Sequence, residues 1–135
     1  YAVNFVQWEV PGTIEVLGRT VSAIRAKHDK LAVATSLRVE RGGQTICFSG
    51  DTGWQPELAA LTQGANIFVC ECSMHHPDYW GHLSVDELVS VRDQLHVDNL
   101  YLSHLSDASR AAATAQLAAL RAHIADDGLV VTVQV

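Results

Sequence analysis

The chain has 135 residues, a length that suits one domain able to bury its own core. With 48% hydrophobic and 18% charged residues, the composition is that of a globular protein without disordered tracts. The formal net charge is −6 and the nine Lys and Arg residues are scattered, so the sequence lacks the basic stripe of a nucleic-acid backbone binder. No apolar run approaches the ~18 residues of a membrane span, and no signal-peptide pattern opens the sequence.

The first half of the sequence predicts antiparallel strands joined by short turns. Apolar and polar residues alternate with the period of two that is typical of half-buried strands. Glycine-containing turns separate the runs, and Arg41-Gly42-Gly43 joins the last two as a hairpin. The predicted strands cover residues 1–10, 13–17, 20–26, 31–40 and 44–49.

The second half of the sequence predicts alternating helices and strands. Pro56 suits the first turn of a helix, and Ser84 with Glu87 forms a capping box at the start of another. An alanine-rich run ends at Gly128 and predicts a third helix. The predicted helices cover 56–63, 85–96 and 108–126, and the predicted strands cover 65–72, 99–103 and 129–135. This order predicts right-handed crossovers and a partly parallel sheet.

Three cysteines lie inside apolar, strand-like runs. Cys47, Cys70 and Cys72 are therefore predicted to be small buried thiols. Their odd number argues against a disulfide framework and favours a reducing cytoplasm as the location. Cys70 and Cys72 share one strand face, but a zinc site there would need further close ligands.

Two potential metal ligands directly follow apolar runs that predict buried strands. Asp51 lies in the segment FSGDTG at 48–53, and a carboxylate at the carboxyl end of a sheet strand is a common place for ligand chemistry. The alternative for Asp51 is a turn or helix cap before Pro56. His104 lies in the segment LSHLS at 102–106, where the alternative is an ordinary loop imidazole.

Other candidate residues stand at the ends of predicted elements. His28 follows a strand, with a solvated loop as the alternative, and His82 precedes the capped helix, where it could instead be a staple residue. Glu71 ends a buried strand, where a carboxylate must be paired or hydrogen-bonded. His75 and His76 could contact substrate, although a solvated loop is favoured.

The segments around His28, Asp51, His82 and His104 resemble the later motifs of the metallo-β-lactamase superfamily, in its ribonuclease Z-like phosphodiesterase branch. The resemblance covers about residues 14–106. It implies an α/β fold with a mixed β-sheet and flanking helices, one half of the αββα sandwich. The family's first ligand cluster, His-x-His-x-Asp-His, occurs nowhere in the 135 residues. We therefore expect residues 1–135 to be a single domain, the C-terminal portion of that fold without its N-terminal half.

The resemblance also implies a role for each candidate residue. Asp51 would bridge two zinc ions, His28 would complete the first ion's ligands and His104 the second's. His82 would protonate the leaving oxygen, as suits a side chain that titrates near neutral pH, and Glu71 would support a histidine. Because further ligands would come from the absent cluster, we expect one weak zinc site or none in this chain alone, and negligible hydrolysis.

The function that the resemblance implies is that of a metal-dependent hydrolase, acting on phosphodiesters such as RNA ends or cyclic nucleotides when complete. One alternative is a degenerate, non-catalytic module that self-associates. The other is an unrelated α/β domain in which the segments that resemble the motifs only form turns. Half of a two-sheet sandwich would expose a large apolar face. We therefore expect the chain to pair with the missing half or with a second copy of itself, as a homodimer, and to have no membrane partner.

Overall fold

A computed structural model describes residues 2–30 and 33–133, which form one mixed β-sheet flanked by helices. The strands are β1 (Gly12–Val16), β2 (Arg19–Arg25), β3 (Thr35–Arg41), β4 (Gln44–Phe48), β5 (Ala65–Glu71), β6 (Val97–Ser103) and β7 (Ala122–Ile124). The helices are α1 (Pro56–Thr62), α2 (Val85–Val91), α3 (Asp107–Ala115) and α4 (Leu117–Leu120), and a 3₁₀ turn covers Arg92–Gln94.

The strands lie side by side in the order of the sequence. β1 to β4 are antiparallel neighbours, and β4 to β7 are parallel neighbours. Short turns suffice between the antiparallel strands, whereas each parallel pair needs a crossover that carries a helix. The predicted α/β class, with a mixed sheet and flanking helices, is confirmed.

The core lies between the helices and one face of the sheet. Phe68 and Leu100, from neighbouring parallel strands, are fully buried there against Leu58 of α1 and Leu88 of α2. The three cysteines are free and buried, as predicted. Burial raises the pKa of Cys47 to about 11 and that of Cys72 to about 12, so both thiols stay protonated near neutral pH.

The other face of the sheet is apolar, and its side chains range from buried, at Ile67, to partly exposed. Because side chains alternate along a strand, the neighbours of the buried residues point away from the helices. The register aligns Val21, Val39, Ile46 and Ile67 across four strands on this face. Phe48, at its edge, is 41% exposed. We call this surface the open sheet face.

The predicted strand over residues 1–10 is wrong where it can be compared. Residues 2–9 form no strand, and β1 begins at Gly12; Tyr1 lies outside the described residues. Alternating side chains are not enough for a strand, because its backbone groups also need a neighbouring strand to pair with. Within the described residues, β1 is hydrogen-bonded to β2 alone. The strand predicted over 31–40 begins at Thr35, and residues 31 and 32 also lie outside the description.

The predicted long helix over residues 108–126 is also wrong. The chain forms α3 and α4 and then turns at Arg121, whose backbone is left-handed with φ of +47°. The Arg92 side chain donates to the Leu120 carbonyl and so satisfies the end of α4. Residues Ala122–Ile124 then pair with β6, so tertiary pairing overrides the helix propensity of the alanines.

Two smaller predictions at the ends of elements also differ from the structure. His123 lies on β7 and His96 lies between the 3₁₀ turn and β6, whereas both were predicted on helices. The strand predicted over 129–135 is absent over the described residues 129–133, of which residues 131–133 line a cleft beside Ile67 and Asn99. Residues 134 and 135 lie outside the description. Among the described helices, none is long and apolar enough to cross a membrane.

We predict that Ser84→Ala lowers the free energy of unfolding by about 1 kcal/mol, because it removes the cap of α2. The Ser84 hydroxyl accepts from the Glu87 N–H at 3.2 Å, and the Glu87 carboxylate accepts from the Ser84 N–H at 3.2 Å. Urea titration measures the change. Ser90→Ala removes an exposed hydroxyl from the same helix and should cost less than about 0.5 kcal/mol. Equal losses in the two variants would contradict the prediction.

Candidate functional site

The candidate residues meet at the edge of the sheet where β2, β4, β5 and β6 end. These four strands run in the same direction, because β2 and β4 are both antiparallel to β3 and the others are parallel to β4. His28 follows β2, Asp51 follows β4 and His104 follows β6, while Glu71 is the last residue of β5. His82 reaches the same edge from the segment before α2. We call these five residues the strand-end cluster.

Side chains that are distant in sequence approach closely in the strand-end cluster. The Nδ1 atom of His104 lies 3.2 Å from the Oδ1 atom of Asp51. The ring centroid of His82 lies 4.8 Å from that of His28 and 5.4 Å from that of His104. A cleft of about 200 Å³ opens here, lined in part by Asp51, Glu71 and His104. The structure thus brings the five sequence-predicted residues together.

The grouping of potential metal ligands differs in one respect from the sequence-based prediction. Ligand-capable atoms of His28, Asp51 and His82 all lie within 4.8 Å of one another, and so do those of Glu71, His82 and His104. His82 belongs to both groups, because it sits between the rings of His28 and His104. His82 comes from a separate loop. Its place between these two rings depends on the tertiary structure and could not be predicted from the spacing of residues in the sequence.

Hydrogen bonds orient two of the imidazole rings. Nδ1 of His28 lies 3.0 Å from the Gly81 carbonyl oxygen, and Nδ1 of His82 lies 2.7 Å from the Glu71 carboxylate. Since a carbonyl or carboxylate oxygen can only accept, each Nδ1 must carry the proton and donate. The Nε2 atoms are then left as the lone-pair donors of the neutral rings, as second partners usually arrange for metal-binding histidines.

Glu71 is the buried anchor of the strand-end cluster. Its side chain is 3% exposed, and its Oε1 atom accepts from the Thr52 N–H at 3.0 Å as well as from His82. Its Oε2 atom accepts from the Ser73 N–H at 3.0 Å. Three donors therefore satisfy the carboxylate, as its burial requires. Thr52 was not singled out by the sequence analysis, although it lies inside the FSGDTG segment.

The backbone around the cluster is tightly constrained. Gly50 has φ of +57°, and a Cβ there would lie 2.6 Å from the Thr35 carbonyl oxygen. A Cβ at Gly53 would collide with the carbonyl oxygen of Trp80. His104 has a left-handed backbone with φ of +54°, which is uncommon for a residue other than glycine and occurs mainly where surrounding structure enforces it. Both segments that carry Asp51 and His104 are thus held in sharp turns.

The donor set fits a zinc-type ion. Imidazole nitrogen and carboxylate oxygen are zinc ligands, and three protein ligands leave the fourth position that catalytic sites keep open. The half-exposed side chains of Asp51 and His104, at 48% and 51%, leave that position accessible. Exposed rings of Tyr79 and Trp80 stand beside the cluster, with the Tyr79 ring 5.7 Å from that of His82.

Comparisons with known proteins agree with this fold. A protein-family model described as "Beta-lactamase superfamily domain" matches residues 1–105. The uncharacterized protein Rv1339 of Mycobacterium tuberculosis is 38% identical over 68 residues, which are 47% of this chain and 24% of that protein. The chain therefore spans about a quarter of the curated relatives it matches.

Solved structures share the fold at low sequence identity. The metallo-β-lactamase fold protein YhfI from Bacillus subtilis has a TM-score of 0.74 at 18% identity, over 92% of this chain and 54% of that one. Zn²⁺-bound PqqB from Methylobacterium extorquens has a TM-score of 0.72 at 15% identity, over 92% and 54%. Human tRNase Z, short form, has a TM-score of 0.66 at 19% identity, over 90% and 45%. The chain spans about half the length of each.

We predict that Glu71→Gln lowers the free energy of unfolding by about 1–3 kcal/mol. A glutamine offers one oxygen and one NH₂ group, so it cannot accept from Thr52, Ser73 and His82 together, and a buried donor is left unpaired. Urea titration measures the loss, and imidazole ¹⁵N spectra report the change at His82. Glu57→Gln, in the exposed first turn of α1, is the matched control and should change stability by less than about 0.5 kcal/mol. A Glu71 variant as stable as this control would refute the prediction.

Proposed function

The chain belongs to the beta-lactamase superfamily, and from that membership we propose that it carries part of the metal centre of a metal-dependent phosphodiesterase. The observation that carries the proposal is the strand-end cluster, in which Asp51 and His104 approach to 3.2 Å although they are 53 positions apart in sequence. Zn²⁺-bound PqqB shares the fold, which supports metal dependence.

The proposed ligands are His28, Asp51 and His104. When bound, a zinc ion supplies a Lewis acid that polarises the phosphoryl oxygen of a substrate. Asp51 would be the carboxylate ligand of this metal centre, with His28 and His104 as its imidazole ligands. His28 suits the role because its Nδ1 atom is committed to a backbone carbonyl, which leaves Nε2 for a ligand.

The proposed proton donor is His82, and Glu71 is its positioning residue. A protonated His82 would hold one proton on Nδ1 for Glu71 and a second on Nε2 for the leaving oxygen of the ester. The carboxylate of Glu71 offsets the charge of that imidazolium and keeps the ring in one orientation. Glu71 itself is fixed by two backbone N–H groups, so the pair needs little reorganisation.

A phosphodiester with an aromatic group is the proposed substrate class. Human tRNase Z shares the fold, which supports a phosphodiester in RNA. The exposed rings of Tyr79 and Trp80 beside His82 would offer a nucleobase a stacking surface. The free, buried thiols support the cytoplasm as the proposed location.

We also propose that the open sheet face is covered in the functional protein by a second sheet. The chain spans 54% of YhfI and 45% of the human tRNase Z chain, so the solved structures contain polypeptide beyond the matched half. On this face Val39 and Ile46 are only half-buried and Phe48 is 41% exposed, and contiguous apolar surface of this kind on a soluble protein usually marks an interaction site. A non-catalytic module of the same fold, which self-associates through this face, is the second candidate function.

We predict that zinc binding by the chain depends on the strand-end cluster. In equilibrium titration with Zn²⁺, Asp51→Asn and His104→Asn should each weaken the affinity of one zinc equivalent by about tenfold or more, because each removes a ligand. The chain alone should hydrolyse bis(p-nitrophenyl) phosphate at the background rate. His96→Ala removes an exposed histidine elsewhere and should change nothing. Unchanged zinc affinity in both ligand variants, or robust turnover abolished by a chelator, would overturn the assignment.

We predict that the chain self-associates through the open sheet face when no other sheet covers it. Sedimentation velocity should show species larger than the monomer at micromolar concentrations. Phe48→Lys, which places a charge on that face, should shift the chain toward monomer. Leu17→Lys changes a more exposed residue, at 85%, in the β1–β2 turn and should have little effect. A dispersed wild-type monomer, or equal effects of the two substitutions, would argue against the covered face.

A further inference from the structure

A second group of potential metal ligands lies where the segment after β5 meets the first turn of α2. His75, His76 and Asp86 each place a ligand-capable atom within 4.8 Å of the other two. We call these three residues the loop-base cluster. It shares no residue with the strand-end cluster: His75 and His76 lie in the loop after β5, and Asp86 is the second residue of α2, directly after that loop.

Backbone hydrogen bonds close the base of this loop before any ion binds. Met74 N–H donates to the Leu83 carbonyl at 3.1 Å, and Val85 N–H donates to the Met74 carbonyl at 2.9 Å. Asp86 N–H donates to the His75 carbonyl at 3.3 Å, which ties two members of the cluster together directly. The ligand-bearing backbone is therefore preorganised, and binding an ion requires little further ordering.

The side chains are also arranged as a shared site. The rings of His75 and His76 stack with centroids 3.7 Å apart and an angle of 25°. Nδ1 of His76 lies 2.6 Å from the Asp86 carboxylate. Neutral imidazoles beside one carboxylate are the form in which these groups bind metal.

We propose that His75, His76 and Asp86 form a second transition-metal site, selective for zinc-type ions. With zinc–ligand bonds of about 2.0–2.1 Å, tetrahedral ligand atoms lie about 3.3 Å apart, so modest rotations of these accessible side chains close the present spacing. Two imidazole nitrogens favour zinc, nickel or copper over magnesium and calcium, which prefer oxygen. Water would complete the coordination.

Such an ion would hold together the two ends of the loop that carries His82 and the exposed rings of Tyr79 and Trp80. Tyr79, Trp80 and His82 lie between the ligands in sequence, so an ion at the base restricts the motion of the whole segment. The loop-base ion would thus act on the strand-end cluster through the loop and would not touch substrate. An ordinary ion pair between His76 and Asp86 explains their contact but leaves the stacked His75 without a role.

The experiment isolates the loop-base cluster from the other site. In the folded double variant Asp51→Asn, His104→Asn, competition between Zn²⁺ and a chromophoric chelator should still detect one bound equivalent. Adding His76→Ala, or separately Asp86→Asn, should weaken that equivalent by about tenfold or more. Amide signals of residues 74–86 should shift on zinc addition, whereas those of β1 to β3 should not.

Matched controls separate this site from adventitious binding. Asp78→Asn neutralises an exposed carboxylate in the same loop, and His96→Ala removes an exposed imidazole elsewhere; neither should change the affinity. Zinc binding that is absent from the double variant, retained by both loop-base variants, or equally reduced by the controls would overturn the proposal. Circular dichroism confirms that each variant is folded. The double variant lacks the proposed catalytic ligands, so this result is independent of the proposed phosphodiesterase function.

Discussion

The burial of one carboxylate governs the candidate site. Glu71 ends β5 inside the protein, where an unpaired charge would be costly, and it is stabilised by donors from Thr52, Ser73 and His82. These donors belong to the turn after β4, the turn after β5 and the segment before α2. To donate these hydrogen bonds, the three segments must meet at the Glu71 carboxylate. Asp51 is brought to the site because it lies in the turn after β4. The site is assembled by the need to solvate a buried charge with protein groups.

Strand direction explains why the sequence could predict so much of this assembly. Apolar runs that end in Asp51 and His104 indicate strands, and parallel neighbours place their carboxyl ends at one edge. The capping box of Ser84 and Glu87 could also be predicted from the sequence, because both partners lie within one helical turn. In each case the determining interaction is local, or it follows from the direction of a strand.

The features that the sequence could not predict depend on contacts between distant segments. The alanine-rich run at 108–126 has high helix propensity, yet pairing with β6 and the left-handed turn at Arg121 divide it. The alternating residues at 2–9 lack a neighbouring strand. His75 and Asp86 are eleven residues apart and meet only because the loop base closes. Sequence periodicity describes a segment by itself, and these outcomes are decided by its neighbours.

The distribution of burial divides the strand-end cluster into two parts. Glu71 and His82, with side chains 3% and 20% exposed, are enclosed by described residues and have their hydrogen bonds in place. Asp51 and His104 are about half exposed, and they face the cleft at the same end of the sheet where Phe48 begins the open sheet face. The proposed proton donor and its positioning residue are therefore complete within this part of the chain, whereas the proposed metal ligands still face space that other donors could enter. A metal centre completed by polypeptide packed on the open sheet face would need this division, because its ligands must remain accessible until the second sheet covers them.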